Sequence, residues 1–262
     1  MEPWRTGITT SDDAHIWIRG YDITQLMVGA TFADVVFLLH KGRLPSDGER
    51  RIVDAILIAS ADHGPGSPSA AAARVVATGN RAAPEAAIAA GVLAIGDAHG
   101  GAGLACLQMI ADALRGVGRN GATLSSAARD VVAQARADHR RLPGMGHRTH
   151  SRDPRTDVLF GLARTAGIAG DGIAFMLELE RAAAEAIKPL PINVDGAIAA
   201  VLYDLGFPPA LAKLLFITGR VAGLSAQIVE EYTRERAMRI TIPVTYDGPP
   251  PRDLADGGKG TP

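Results

Sequence analysis

The sequence has little cysteine and no long apolar run. Cys106 is the single cysteine in 262 residues, so an internal disulfide is excluded and a reducing, cytoplasmic environment is predicted. The N-terminal segment has no basic stretch followed by an apolar one, and we expect no signal peptide. No uninterrupted apolar stretch is long enough to span a bilayer, so we predict no membrane attachment.

A strong net charge is also absent. The formal net charge is -1 and the pI is about 6.7, so the overall field does not favour nucleic acid or an acidic membrane. His and Cys do not occur at the spacings of metal sites, such as HxxxH or CxxC, and we expect no metal. There is no GxSxG elbow, and no Walker or GxGxxG loop after a strand.

The residues that are present mainly favour helices. With 47% hydrophobic residues, the chain can form a large core in one domain or in two unequal ones. Thr31 with Asp34 and Ser46 with Glu49 have capping-box spacing, and Ser67-Pro68 also predicts a helix start. The fold prediction is all-α with ten or more helices, the later ones at 101–117, 122–140, 154–167, 171–187, 193–205, 208–218 and 219–236.

Three segments differ from the amphipathic helices. "HIWIRGYDI" (15–23) alternates apolar and polar residues, which predicts a short strand or hairpin and therefore a minor N-terminal β element. "AAPEAAIAAGVLAIG" (82–96) is apolar on nearly all sides, which predicts a buried helix. The proline, glycine and charge content of 247–262 is typical of a disordered tail.

Ionisable residues beside glycine or proline interrupt the helical pattern. The segment "LPGMGHRTHSRDPR" (142–155) combines two histidines, three arginines and two glycines, which suggests a pocket for an anion. Similar interruptions occur at 61–69, 96–103 and 191–198, and Arg220 lies in an otherwise apolar helix.

Each of these residues also has a simpler structural explanation. His63 could end a helix, and His99 could be a hydrogen-bonded turn residue. Asp195 could cap the following helix, and Arg220 could pair with a buried carboxylate. His150 and Arg152 are expected to face solvent.

Considered together, these residues form a different pattern. Three histidines and one aspartate lie at predicted helix ends, beside residues that let backbone approach a ligand (His63, His99, His147 and Asp195). An unpaired buried charge is costly, so such residues in an apolar frame need a partner. The pattern predicts one cleft that performs acid–base chemistry on an anionic substrate.

An ordered set of motifs makes residues 15–246 resemble the citrate synthase superfamily, and within it the citryl-CoA lyase branch, including the citrate-synthase-like module of ATP-citrate lyase. The motifs are "RGYDITQLMVGATFADVVFLLHKGRLP", "ADHG", "GDAHGGAG", "GMGHR…DPR", "NVDG" and "FITGRVAGLSAQIVE". Any one of them is weak, but their order and spacing are specific. "ADHGP", "NVDG" and the short chain favour the lyase branch.

The resemblance implies a helical homodimer whose active site lies between a large and a small domain. The large domain would comprise 1–102 and 206–246, and the small domain would be the insertion 103–205. Much of the dimer interface would be formed by the alanine-rich helices at 70–95. No permanently bound cofactor is implied. The substrates would be a coenzyme A thioester and a 2-oxoacid or tricarboxylate.

The resemblance also implies residue roles. Asp195 would exchange a proton with the methyl carbon of acetyl-CoA, and His99 would stabilise the enol or enolate at the thioester oxygen. His147 would be the acid or base at the keto or hydroxyl carbon. The carboxylates of the oxaloacetate portion would be bound by His63, Arg155 and Arg220. These roles agree with the base and neutral donors that enolate chemistry requires.

Coenzyme A contacts are expected next to the central histidine segment. Gly144 and Gly146 would let backbone amides approach the cofactor portion of the substrate. Arg141, together with its neighbours Arg136 and Arg140, could meet the phosphates, although a solvated helix face is an equal alternative. Lys188 is a further candidate.

One departure concerns the C-terminal segment. Citrate synthases commonly have an arginine before a proline there, which reaches the partner subunit's substrate. Ile242 occupies that place in "ITIPVTYDG", with Arg236 or Arg239 as alternative donors. One carboxylate contact of oxaloacetate is therefore in doubt.

Three functions remain open from the sequence. The favoured one is a lyase that cleaves citryl-CoA, or a close analogue, to acetyl-CoA and a 2-oxoacid. The second is a synthase that condenses these products and hydrolyses the thioester. The third is a noncatalytic helical binding subunit that kept the fold.

Overall fold

The computed structural model describes residues 2–97, 99–119, 121–146 and 152–251. Eleven helices and one small sheet form within these residues. The strands are β1 (Thr9–Ser11), β2 (Ile16–Ile18) and β3 (Tyr21–Asp22). The helices are α1 (Ile23–Gly29), α2 (Phe32–Lys41), α3 (Asp47–Ala61), α4 (Pro68–Gly79), α5 (Pro84–Leu93), α6 (Ala102–Leu114), α7 (Leu124–Ala137), α8 (Pro154–Thr165), α9 (Asp171–Ala186), α10 (Val194–Asp204) and α11 (Ala210–Arg234). The predicted all-α fold with a minor N-terminal β element is confirmed.

The sheet is a short antiparallel meander in the order β1-β2-β3, with Trp17 opposite Thr10 on one side and Asp22 on the other. Arg19 and Gly20 turn the chain between β2 and β3 with positive φ angles. The Arg19 guanidinium donates to the carbonyl of Leu39 in α2, which attaches the sheet to the helical body.

Local capping explains where several helices begin. Thr31 with Asp34 and Ser46 with Glu49 both form complete capping boxes, as their spacing predicted. Ser67 precedes α4 as expected, but its hydroxyl donates to the carbonyl of Gly64 instead of capping the helix.

The prediction of two helices, 208–218 and 219–236, is wrong, because α11 runs through Gly219 without a break. The glycine serves close packing instead: a Cβ at Gly219 would lie 2.5 Å from the carbonyl oxygen of Leu57. The backbones of α3 and α11 therefore approach closely, and this packing compensates for the poor helix propensity of glycine.

Helix α10 lies at the centre of the main core, where all residues from 196 to 202 are buried. It packs against α6, α8 and α9, and the same apolar cluster continues into α2, α3, α7 and the start of α11. A second, smaller cluster joins α4, α5 and α11. The predicted division into two domains at 102/103 and 205/206 stays a prediction.

Helix α5 is less buried than its composition predicted. Ala87 and Gly91 are its buried residues, whereas Leu93 is 84% exposed in the single chain. The prediction of a fully buried helix is therefore wrong for this chain alone, because only one face of α5 packs against α4 and α11.

Helix α11 is the most apolar long helix of the described residues, although Lys213 and Arg220 interrupt its apolar sequence. By length and composition its 25 residues could cross a membrane, but half of the apolar window is buried inside the protein. Its buried face holds Arg220, Gln227 and Glu231 against other parts of the chain, which is the environment of a core helix.

Candidate active site

Asp195 lies in the first turn of α10. Asn193 is the N-cap and accepts the amide of Gly196, so the alternative that Asp195 merely caps the helix is wrong. Burial raises the pKa of Asp195 to about 6, with Asp153 acting in the same direction and Arg155 and Arg220 opposing it. A carboxyl with that pKa can exchange a proton near neutral pH.

Asp153 positions two parts of the site at once. This carboxylate is fully buried, and its two oxygens accept from Nε and Nη2 of Arg155 at 2.9 and 2.8 Å. It also accepts the amides of Arg155 and Val194, at 3.1 and 3.0 Å. Arg155 is therefore held beside the first turn of α10, which carries Asp195.

Arg220 is a buried cation without a direct carboxylate partner in the part of the chain that the structure describes. It is 1% exposed, and its Nε and Nη1 donate to the carbonyl of Ser60 at 2.7 Å and to Ser69 Oγ at 3.0 Å. Among the described residues no carboxylate forms a salt bridge with it, so the alternative of a buried ion pair is not found there. Burial lowers its pKa, while the more distant Asp62 and Asp195 raise it.

His99 is held by the same serine. Ser69 Oγ lies 2.9 Å from His99 Nε2, and the amide of Ser69 donates to that nitrogen at 3.3 Å. An amide can only donate, so Nε2 accepts and neutral His99 carries its hydrogen on Nδ1. The backbone of His99 also closes a tight turn with Gly96, as the structural alternative predicted, and its role in catalysis stays a prediction.

His63 lies on the exposed loop that follows α3. The C-cap of α3 is Asp62 and not His63, which corrects the capping alternative. Asp62 Oδ2 accepts the amide of Gly64 at 3.0 Å, so a turn closes across His63. Asp62 also interacts electrostatically with Arg220, which places this loop on the same side of α11 as the arginine.

The two glycines at 144 and 146 are explained by packing against the segment before α10. A Cβ on Gly144 would lie 2.6 Å from Cys106 Sγ and 2.7 Å from Gly196 Cα. The amide of Gly146 donates to Pro191 at 2.7 Å, so it is already used inside the chain. Both have positive φ angles, and their coenzyme A role stays a prediction.

The remaining predicted residues are more peripheral or lie outside the described part. Arg141 and Lys188 are exposed, as is Arg152, which pairs with Asp157 at 2.6 Å. His147 and His150 lie outside the described residues. Within the described ranges no group of three His, Cys, Asp or Glu side chains could hold a metal.

Asp153 and Ser69 were missed from the sequence. The N-cap position of Asp153 in α8 could have been predicted, because Pro154 follows it. Its contact with the Val194 amide of α10 could not, because the two residues are 41 positions apart. Ser69 stands beside Pro68 at a helix start, and nothing local indicates its contacts with His99 and Arg220.

The family described as "Citrate synthase, C-terminal domain" matches residues 47–241. The chain belongs to this family. The solved structure of citryl-CoA lyase from Hydrogenobacter thermophilus is 37% identical, with a TM-score of 0.87, over 98% of this chain and 99% of that one. ATP citrate lyase from Methanosaeta concilii, solved with (3S)-citryl-CoA, shares the fold at 19% identity and a TM-score of 0.75, over 94% of this chain and 43% of that one.

Curated members of the citrate synthase family are more distant and longer. "Citrate/2-methylcitrate synthase" from Bacillus subtilis (strain 168) is 29% identical over 212 residues, which are 79% of this chain and 54% of the relative. The chain thus spans about half the length of the curated relatives it matches. The predicted superfamily is confirmed.

The expected loss of a substrate-binding arginine at Ile242 stays a prediction. Ile242 is 69% exposed in the single chain. Arg239, considered as a replacement, donates to both oxygens of the buried Glu231 at 2.8 and 2.6 Å. Arg239 is thus held against Glu231, and Arg236 is exposed.

Proposed function

We propose that the protein is a citryl-CoA lyase that cleaves citryl-CoA, or a close analogue, to acetyl-CoA and oxaloacetate. The main observation behind this proposal is that Arg220 is a buried cation without a carboxylate partner among the described residues. It is also close enough to Asp195 for their charges to interact. A buried cation of this kind favours binding of an anion. The similarity to a citryl-CoA lyase along nearly the whole chain supports this substrate.

In net terms the proposed cleavage moves one proton from the hydroxyl group of the substrate to the methyl carbon of acetyl-CoA, and the proton left on His147 returns to Asp195 through solvent after the products leave. His147 takes the proton of the hydroxyl group, and the bond between the carbinol carbon and the thioester methylene breaks. The electron pair of that bond passes into the acetyl-CoA enolate, while the carbinol carbon becomes the keto carbon of oxaloacetate. Asp195 then delivers a proton to the enolate carbon, which gives the methyl group.

His99 suits the charge that develops in this step. Its neutral form carries the hydrogen on Nδ1, as the contacts with Ser69 require. In this role Nδ1–H donates to the thioester oxygen, where the enolate charge collects. The carboxylates of the substrate are assigned to Arg155, Arg220 and His63, since arginine matches planar carboxylates.

A synthase is the second candidate, because the curated relative is named citrate/2-methylcitrate synthase. It would use the same carbon–carbon step and then hydrolyse the thioester. Coenzyme A contacts of Gly144, Gly146, Arg141 and Lys188 are proposed equally for both activities. A cytoplasmic location and the absence of a permanent cofactor also stay predictions.

The test is incubation with citryl-CoA in one assay and with oxaloacetate plus acetyl-CoA in another, following free thiol and oxaloacetate. A lyase forms oxaloacetate from citryl-CoA without releasing thiol. A synthase releases thiol in the second assay. A noncatalytic binding subunit changes neither substrate, and that result would overturn the proposal.

We also propose a homodimer formed through α4, α5 and α11. In the single chain this region leaves apolar side chains exposed, namely Val75, Leu93 and Val229. Small residues in α4 and α5 permit close contact between helices, and exposed apolar surface of this kind marks an interface. A stable monomer at micromolar concentration in sedimentation would contradict the proposal.

A further inference from the structure

A chain of buried polar side chains joins the His63 loop to helix α11. Arg220, Gly223, Gln227 and Glu231 lie on one buried face of this helix. A Cβ at Gly223 would overlap the carbonyl oxygen of Ala61, so the end of α3 rests directly on α11. The loop that carries His63 therefore starts from a point in contact with the helix that carries Arg220.

Gln227 attaches the His63 loop to α11 at a second point, through Asp62. Its Nε2 lies 3.3 and 3.2 Å from the two carboxylate oxygens of Asp62, while its Oε1 accepts from Arg74 Nη1 at 2.7 Å. A guanidinium can only donate, so Arg74 forces Oε1 to its own side and directs the NH₂ group towards Asp62. The orientation of the Gln227 amide is thus determined.

Arg74 is itself held in place. Its Nε donates to Glu231 Oε2 at 3.0 Å, and Glu231 is fully buried. Arg239, in the segment after α11, binds both oxygens of the same carboxylate. The Gln227 amide is therefore held by a connected set of buried side chains. The Asp62 carboxylate accepts both from this amide and from the backbone amide of Gly64.

We propose that Gln227 is a positioning residue: by holding Asp62 it fixes the loop that presents His63 to the substrate carboxylate at a set distance from Arg220. The proposal rests on the proposed function for the role of His63. Since Gln227 acts through Asp62, it is expected to affect substrate binding more than the chemical step.

The informative variant is Gln227→Glu. It keeps the acceptor for Arg74 but places a carboxylate against Asp62, so the loop loses its attachment. We expect the KM for citryl-CoA, and the Kd for oxaloacetate in calorimetry, to rise about tenfold, as for one lost charge-assisted contact, with kcat changed less than about twofold. Adding Asp62→Asn restores a donor–acceptor pair in the opposite order, and the double variant should return to within about threefold of wild type.

Hydrogen exchange of the segment 62–66 tests the attachment without any reaction. Gln227→Glu should accelerate exchange at Gly64, and the double variant should restore protection. Thr218→Ala, which removes an exposed hydroxyl from the same helix, is the matched control and should change neither exchange nor KM.

The outcomes separate this inference from the proposed function. If wild type does not convert citryl-CoA, the proposed function fails while exchange still tests the loop attachment. Unchanged exchange in Gln227→Glu would overturn the inference, as would a double variant that stays as impaired as the single one. A loss confined to kcat would also overturn it, because a positioning role for a binding residue predicts a change in KM.

Discussion

Asp153 binds the guanidinium of Arg155 through both carboxylate oxygens, at 2.9 and 2.8 Å, and both residues belong to the start of α8. One of these oxygens also accepts the amide of Val194, the first residue of α10. A single buried carboxylate thus sets the distance between the proposed substrate arginine and the helix turn that carries Asp195.

Asp153→Asn should change both stability and the titration of Asp195. Removing one partner of a buried ion pair costs about 3 kcal/mol of unfolding free energy. Because the charge of Asp153 raises the pKa of Asp195, its loss should move that pKa below the present value of about 6. Urea unfolding and the pH dependence of kcat/KM measure the two effects. Asp157→Asn, at the exposed pair with Arg152, is the control and should cost less than about 1 kcal/mol.

Asp195→Asn should abolish turnover and leave the fold intact, since it removes the proton-exchanging group and keeps its shape. The assay is citryl-CoA cleavage with circular dichroism as the check on folding. Activity near that of wild type would show that another residue exchanges the proton.

The same variant should alter the pH dependence of stability. The pKa of Asp195 is raised from 3.8 to about 6 in the folded chain, so its protonated form is favoured. Its contribution to stability is fully present below the unfolded pKa and is lost as the pH rises through the folded pKa, by at most about 3 kcal/mol. Relative to wild type, the Asn variant should therefore gain stability between about pH 4 and pH 7. A difference independent of pH in urea unfolding would contradict the raised pKa.

The pH profile of kcat/KM should have a limb near the Asp195 pKa of about 6. Cleavage and condensation neither release nor consume a net proton. In either direction, therefore, the active enzyme has one proton bound to the pair, on Asp195 or on His147 but not on both. The two directions should therefore share the same bell-shaped profile, with macroscopic pKa values that belong to the pair. Different profiles in the two directions would rule out this sharing.

Gly144→Ala and Gly146→Ala form a matched pair for stability. Both glycines have positive φ angles, of 76° and 80°, which costs an alanine about 1 kcal/mol. At Gly144 the new Cβ would also lie 2.6 Å from Cys106 Sγ, whereas at Gly146 the nearest atom is 3.6 Å away. Overpacking should raise the cost at Gly144 to about 3 kcal/mol. Equal losses in urea unfolding would show that the backbone around 144 adjusts freely.

Ile242→Arg tests substrate choice in the proposed dimer. If the side chain reaches the partner subunit's site, the new charge should strengthen oxaloacetate binding by about one to two orders of magnitude, against little change for pyruvate. Val244→Arg, two residues further along the same exposed segment, is the control. An unchanged preference between oxaloacetate and pyruvate would place Ile242 outside the site.

The amino-acid sequence alone was enough to predict the helical class, the capped starts of α2 and α3, and the family, because these follow from local spacing and from ordered motifs. It also singled out Asp195 at a predicted helix end and Arg220 in an apolar helix, whereas the role of Arg155 followed from the resemblance to the family. The continuity of α11 could not be predicted in this way, because the close contact at Gly219 depends on α3, which is distant in sequence. The contacts of the Ser69 hydroxyl with both His99 and Arg220 could not be predicted from the sequence either. A hydrogen bond between residues thirty or more positions apart leaves no periodic trace in the chain, and so it becomes visible only when the helices are packed.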